Sequence, residues 1–420
     1  MPPHRTTLSP TSRPAPETAS PGADARLPRP APPAPARERL LSGRFLRVTA
    51  GNFFFFMTFA SFFLLPLRVR ELGGDERMVG FVMGTNGGTA LIGVIVVGLM
   101  IDRLGARRFL RGGMAVMALS SISFAFVDRL GFWIFFLRAV QGFAFAAGFN
   151  ASSTFAAAIA PRDRRAAALG LFGVSTLVTH ALAPTLGEQV VALAGFPTLF
   201  AIAGSFSIVG LAIAWTLPDV AHVPPAEGAP APPGFPTPLL ATFATSTCCG
   251  IAFGTVLSFV PTFVLDENLG PVATFFLSYT GAAILTRLWA GPLADDYGLR
   301  RMILPGIALL ACAILGLATV HSTIGLACAG AFFGLAQGIV YPTLNAFGVD
   351  LAVEGQLGRV QAFYNGSFNV GVTSGALALG PVVHTWGHRT AFVCAAGMAF
   401  VAFTIFAVGS RPSVAGRSRG

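Results

Sequence analysis

The sequence predicts an all-α integral membrane protein, with twelve spanning helices in two parallel six-helix pseudo-repeats. Three observations carry this. The chain of 420 residues is 54% hydrophobic and only 11% charged, whereas a soluble domain carries about 25% charged residues. Twelve apolar runs lie between residues 46 and 409, most of them close to the ~20 residues that cross a bilayer. One charged loop is written twice, as "GLMIDRLGARR" from Gly98 to Arg108 and as "GPLADDYGLRR" from Gly291 to Arg301. Gly98/Gly291, Asp102/Asp295, Gly105/Gly298, Arg107/Arg300 and Arg108/Arg301 are all 193 residues apart.

Residues 1–43 open the chain with a Pro-, Ala- and Arg-rich stretch ("RPAPPAPARER"). Such a composition buries too little apolar surface to fold, so a disordered tail is expected. It also lacks the apolar core of a signal peptide. The first half, 44–217, holds apolar segments at about 46–67, 78–100, 109–127, 132–157, 166–187 and 196–217. A Pro-rich linker follows at 218–237. The second half, 238–410, holds segments at about 238–265, 271–293, 302–321, 323–348, 359–383 and 389–409, before a short tail at 411–420.

The repeat extends beyond the loop. Gln141-Gly142 in segment 4 recurs as Gln337-Gly338 in segment 10, offset by 196 residues. Leu182 and Pro184 in segment 5 recur as Leu379 and Pro381 in segment 11, offset by 197. A parallel repeat of this kind places a substrate site near the bilayer midplane, between the halves.

Arginine sets the orientation, because cytoplasmic loops carry the excess of basic residues. With both termini cytoplasmic, seventeen arginines of loops and tails fall inside and five outside. The chain has no lysine. Its net charge of +10 is no sign of nucleic-acid binding, since the basic residues are spread over loops and the tail. Cys248, Cys249, Cys312, Cys328 and Cys394 show no metal-ligand spacing and are expected to be buried small hydrophobes.

The duplicated loop resembles the loop 2–3 signature of the major facilitator superfamily, G-x-L-A-D-R-x-G-R-R, with Met100 in the Leu place. "RAVQGFAFAAG", Arg138 to Gly148, resembles the helix-4 signature of its proton-driven exporters. "LAPTLGE", Leu182 to Glu188, is similar to the helix-5 antiporter signature, with Ala183 and Glu188 replacing two of its glycines. "GALALGP", Gly375 to Pro381, echoes it in segment 11. The resemblance covers roughly residues 44–410, and the closest look is the bacterial twelve-helix drug and metabolite efflux group. It implies the major facilitator fold, a bacterial inner (plasma) membrane location, and a monomeric secondary transporter with a small-molecule substrate and protons as coupling ion. It also implies that the loop residues Gly98, Asp102, Arg103, Gly105, Arg107 and Arg108 latch the halves on the cytoplasmic side. Asp295, Gly298, Arg300 and Arg301 would form a second, weaker latch. The competing reading is a solvated turn that only fixes topology, with Gly105 and Gly298 taking positive φ.

Within the segments, Arg138 is a costly intramembrane charge. It is either satisfied by carbonyls or serves coupling or binding, with Gln141 on the same face. Arg287 either faces the cavity or snorkels to the inner surface. No acid sits in the middle of a segment, so His180 is the best proton carrier and Glu188 the second. Arginines without acids favour anionic, zwitterionic or neutral amphiphilic solutes over cations. Asn52, Asn150, Tyr279, Tyr341, Asn345, Tyr364, Asn365 and Asn369 either line the pathway or bridge helices. Gly84, Gly87, Gly88 and Gly93 are expected to let helices pack closely. Pro184 with Gly187, and Pro381 with Gly380, are candidate gating bends.

Three functions follow: a proton-coupled exporter, an importer of the same fold, and a non-transporting sensor or scaffold. No nucleotide loop or metal-ligand motif supports an enzyme, a cofactor or ATP-driven transport.

Overall fold

The computed structural model describes residues 42–159, 165–217, 234–352 and 357–410, without the side chains of residues 95, 99, 102, 103, 165–169, 288–296, 357 and 358. The tail at 1–41, most of the linker and the C-terminal tail lie outside the described residues. All regular structure described is helical. The helices are α1 Gly43–Ser61, continued through a 3-10 turn into α2 Leu65–Glu71, α3 Glu76–Leu104, α4 Ala106–Phe124, α5 Phe132–Ile159 and α6 Arg165–Trp215. The C-terminal set is α7 Thr237–Asp266, α8 Ala273–Tyr297, α9 Leu299–Leu317, α10 Thr323–Asp350 and α11 Leu357–Gly409.

Every predicted apolar segment overlaps a helix. α6 and α11 each contain two of them, broken at Gly195 (φ 76°) and Gly387 (φ 80°). Among the described residues, eight helices are long and apolar enough to cross a membrane. α4, which carries Arg107, Arg108 and Arg111 near its start, is not among them.

Side chains fix several helix starts. Ser42 accepts from the Phe45 N–H, Asp75 from Met78 and Ser322 from Gly325, each satisfying an N-terminal donor that the helix leaves open. Among the described residues, six glycines have positive φ and fall into three pairs along the chain: Gly73 and Gly270, Gly105 and Gly298, Gly195 and Gly387. The members of each pair are 192 to 197 residues apart. Gly105 (φ 83°, ψ 144°) and Gly298 (φ 85°, ψ 139°) have nearly the same backbone, a region that only glycine enters without strain.

α1 packs along α6, α3 along α5, α7 along α11 and α10 along α8. α3 also lies along α11, and α6 touches α8, which joins the N-terminal set to the C-terminal set. The glycines of α3 permit this approach. A Cβ on Gly80, Gly84 or Gly87 would meet Ala376, Leu377 or Thr373 of α11, and one on Gly93 would meet Phe143 and Ala146 of α5.

One expectation is corrected. Cys248 and Cys249 are buried, but Cys312, Cys328 and Cys394 are exposed on the bundle surface. An apolar run announces an apolar solvent, and lipid serves as well as protein core. α6 and α11 break at Gly195 and Gly387, between their paired segments, while helical dihedrals continue through Pro184 and Pro381. Glycine reaches positive φ at no steric cost, whereas proline still allows a helical φ.

Candidate functional site

The two intramembrane arginines have opposite surroundings. Arg138 on α5 is 3% exposed. Its Nη1 donates to Gln141 Oε1 at 2.8 Å and its Nε to the Val82 carbonyl at 3.4 Å, and the guanidinium lies 5.7 Å from the Phe62 ring centroid. Gln141 donates onward to Ser121 of α4, and Asn86 of α3 donates to the Arg138 carbonyl. Arg138 and Gln141 therefore stitch α3, α4 and α5 together.

Arg287 stands fourteen residues after the start of α8, about 21 Å along the helix at 1.5 Å per residue. Its Nε is buried without a hydrogen-bond partner. The guanidinium reaches across to α6, where a Cβ on Gly173 would lie 3.4 Å from Nη1. The titratable groups coupled to its charge are His180, Tyr279, Tyr341 and Tyr364. No carboxylate is among them in the described residues. Burying such a cation unpaired is costly.

His180 of α6 lies edge-on to Phe63 at 5.0 Å and stacks on Tyr279 at 6.2 Å between ring centroids, and its Nδ1 has no partner. Tyr341 donates to Asn365 Oδ1 at 3.0 Å, and Tyr364 donates to the Tyr341 carbonyl at 2.7 Å. Asn369 donates to the Asn365 carbonyl, while the buried Asn345 Oδ1 is unpartnered. The polar run "YNGSFN" thus ties α10 to α11. Asn52 lies apart and bridges α1 to Thr176 of α6 at 3.0 Å.

Glu188 is not at a helix end. α6 continues past it, and its two oxygens accept from Val272 N at 2.6 Å and Ala273 N at 2.8 Å. It therefore caps the N-terminus of α8 from the other set, where a helix presents unpaired N–H groups and a partial positive charge. Gly187 beside it packs under Leu64 and Leu199, and Gly380 packs against Gly80.

In the duplicated loop, the side chains of Asp102, Arg103 and Asp295 lie outside the described residues. Gly105, Arg107, Arg108 and Arg111 line a cavity of about 410 Å³ together with Leu104, Ala106 and Phe155. Arg300 donates to Ser410 Oγ at 2.9 Å and to the Ala407 carbonyl at the end of α11. Arg111 likewise donates to the Ala214 and Trp215 carbonyls at the end of α6. A cation on the last carbonyls of a helix is favourable. Gly98 and Arg301 have no such contact in the described structure.

Sequence reading missed a polar cluster at the opposite end of the bundle. Arg70, just before the end of α2, bonds Glu76 of α3 and, at 3.0 Å, Asp266 of α7. His384 Nδ1 lies 3.2 Å from Asp75 Oδ2, and His388 Nδ1 lies 3.7 Å from Asp266 Oδ2. Arg389 pairs with Glu267 at 2.9 Å. Arg70 and Asp266 are 196 residues apart, the offset of Gln141 and Gln337. Opposite charges at matched places in the repeat were the signal available.

A family model described as Major Facilitator Superfamily matches residues 47–352 and residues 242–420. The multi-drug resistance efflux pump PmrA of Streptococcus pneumoniae serotype 4 is 26% identical over 360 residues, covering 80% of this chain and 89% of that protein. The solved structure of the nucleoside transporter NupG superposes with a TM-score of 0.70 at 16% identity, over 89% of this chain and 100% of that one. That of the human organic anion transporter MFSD10 gives a TM-score of 0.66 at 15% identity, over 87% and 100%.

Proposed function

The chain belongs to the Major Facilitator Superfamily, and from that premise we propose that this multi-pass membrane transporter exports a small molecule bearing an anionic group, by alternating access coupled to protons. One observation carries the cargo class: Arg287 is a cation at mid-membrane depth, between α8 and α6, with no hydrogen-bond partner at its Nε. A carboxylate or phosphate would supply the missing acceptors, and charge-assisted hydrogen bonds are the strong ones. Tyr341 and Tyr364, with Asn365 bonded to Tyr341, offer neutral hydrogen-bonding groups nearby, and Tyr279 and His180 offer ring faces.

Export is supported by the likeness to an efflux pump and by the helix-5 signature. The arginine asymmetry puts the duplicated loops and both termini in the cytoplasm. The Arg70 end then faces outward, and its contacts between the two helix sets close the outer side in this arrangement. The loop residues, Asp102 among them, take the latching role in the opposite arrangement. His180 is the better proton carrier, because its Nδ1 is open while both Glu188 oxygens are engaged.

The test is transport in proteoliposomes with an imposed pH gradient, across a panel of organic anions, neutral amphiphiles and lipophilic cations. Gradient-driven flux of anions, lost in Arg287→Ala, supports the reading. Cation flux indifferent to Arg287 sinks the cargo class, and inward accumulation with the protons sinks export.

A further inference from the structure

We propose that Glu76, Asp266 and His388 form a binding site for a divalent transition-metal cation of the zinc class, which clamps the two helix sets together at the Arg70 end. One ligand atom from each residue lies within 4.8 Å of the others. Glu76 comes from α3, Asp266 from α7, and His388 follows the break at Gly387 in α11. No two are near in sequence, so no spacing motif announces the site.

The arrangement of the individual atoms favours a cation. Arg70 takes only one oxygen of each carboxylate, Glu76 Oε1 and Asp266 Oδ1. The other oxygens turn to imidazole nitrogens: Asp266 Oδ2 to His388 Nδ1 at 3.7 Å, and Glu76 Oε2 to His384 Nδ1 at 4.0 Å. Thr262 Oγ1 lies 2.9 Å from His388 Nε2. In the tautomer with Nε2–H donating to that oxygen, the Nδ1 lone pair faces Asp266 Oδ2. An Nε2–H held by an oxygen is also how a ligating histidine is oriented. His388 is only 10% exposed at its side chain.

Charge points the same way. Glu76 and Asp266 share one bound guanidinium, that of Arg70, while Asp75 faces His384, and a cation offsets the negative charge left over. Zinc binds imidazole and carboxylate at about 2.0–2.2 Å, so tetrahedral ligands stand ~3.4 Å apart. Contraction from the present spacing is at most about 1.4 Å, within side-chain motion. Imidazole in the set favours zinc over magnesium or calcium. The Asp266 side chain is 34% exposed and gives an entry path.

The clamp rests on alternating access as proposed above, whereas cation binding itself does not. The experiment titrates zinc into tag-free, full-length protein in detergent, by calorimetry and thermal unfolding, and repeats the titration in the variants. One zinc per chain and a raised Tm are expected. Glu76→Gln and His388→Ala should weaken binding by about tenfold or more, while His321→Ala, outside the triad, leaves it unchanged. His388→Cys guards against misfolding: a thiolate still ligates, so binding should return with a shift towards cadmium. Absence of saturable zinc binding overturns the site, as does binding that survives all the triad variants. In proteoliposomes, zinc should slow flux through the native chain and not through His388→Ala. Triad-dependent binding without inhibition overturns the clamp. A chain that binds zinc but moves no solute even without zinc fails the transport reading instead.

Discussion

Arg70 and Asp266 end the first long helical segment of each helix set, and they close on each other at 3.0 Å across the two sets. The same guanidinium holds Glu76, whose side chain is 9% exposed, whereas Arg70 and Asp266 are 31% and 34% exposed. The exposed pair alone is worth ~0.2–1 kcal/mol. Leaving the buried Glu76 without its donor adds about 1–3 kcal/mol. Arg70→Ala should therefore shift the population away from the outer-closed arrangement. Cysteine pairs placed across α2 and α7 should become more reactive to an impermeant reagent, and the swap of Arg70→Asp with Asp266→Arg should restore only part of the closure.

Glu188 caps α8 from the other helix set. Glu188→Ala removes two charge-assisted acceptors from a helix N-terminus and should destabilise the protein by ~1–2 kcal/mol, read as a lower Tm in detergent. Glu188→Gln should cost less, because one amide oxygen still accepts. Loss of proton coupling with Tm unchanged in Glu188→Gln would instead make this residue a proton carrier.

The two intramembrane arginines should separate stability from binding. Arg138→Ala strands Gln141 and the Val82 carbonyl, and should lower stability by about 1–3 kcal/mol. Arg287→Ala removes a charge with no bond at Nε, so Tm should hold or rise while anion binding falls. Equal Tm losses in the two variants would count against the cargo site.

Glu267 gives a pH dependence with a definite sign. Hydrogen bonds from Arg389 hold its carboxyl below the usual value of 4.5. A group depressed in the folded state stabilises above its unfolded pKa and loses that contribution as pH falls through the folded value. Tm of the native chain should exceed that of Glu267→Gln at neutral pH, and the gap should close below about pH 4.5.

What was legible in the sequence was local. Gly105 and Gly298 take positive φ as their motif requires, because backbone strain belongs to the residue itself. The glycines of α3 pack closely, because a missing Cβ is missing in any fold. Arg138 and Arg287 looked alike because each is one cation in an apolar run. Their fates differ through Val82, some fifty residues before Arg138, and Gly173, more than a hundred before Arg287. The cysteines misled for a similar reason, since hydropathy does not tell lipid from protein core.

The sequence by itself determined a helical membrane protein of this superfamily, its repeated loop and the tight-turn glycines, because segment hydropathy and backbone strain are properties of short stretches. Only the tertiary structure decided which arginine is hydrogen-bonded and which lacks a partner at its Nε, that Glu188 caps a helix, and that Arg70, Glu76, Asp266 and His388 meet. Those outcomes depend on which side chains arrive from distant helices, and Coulomb and hydrogen-bond energies fall off within a few ångströms.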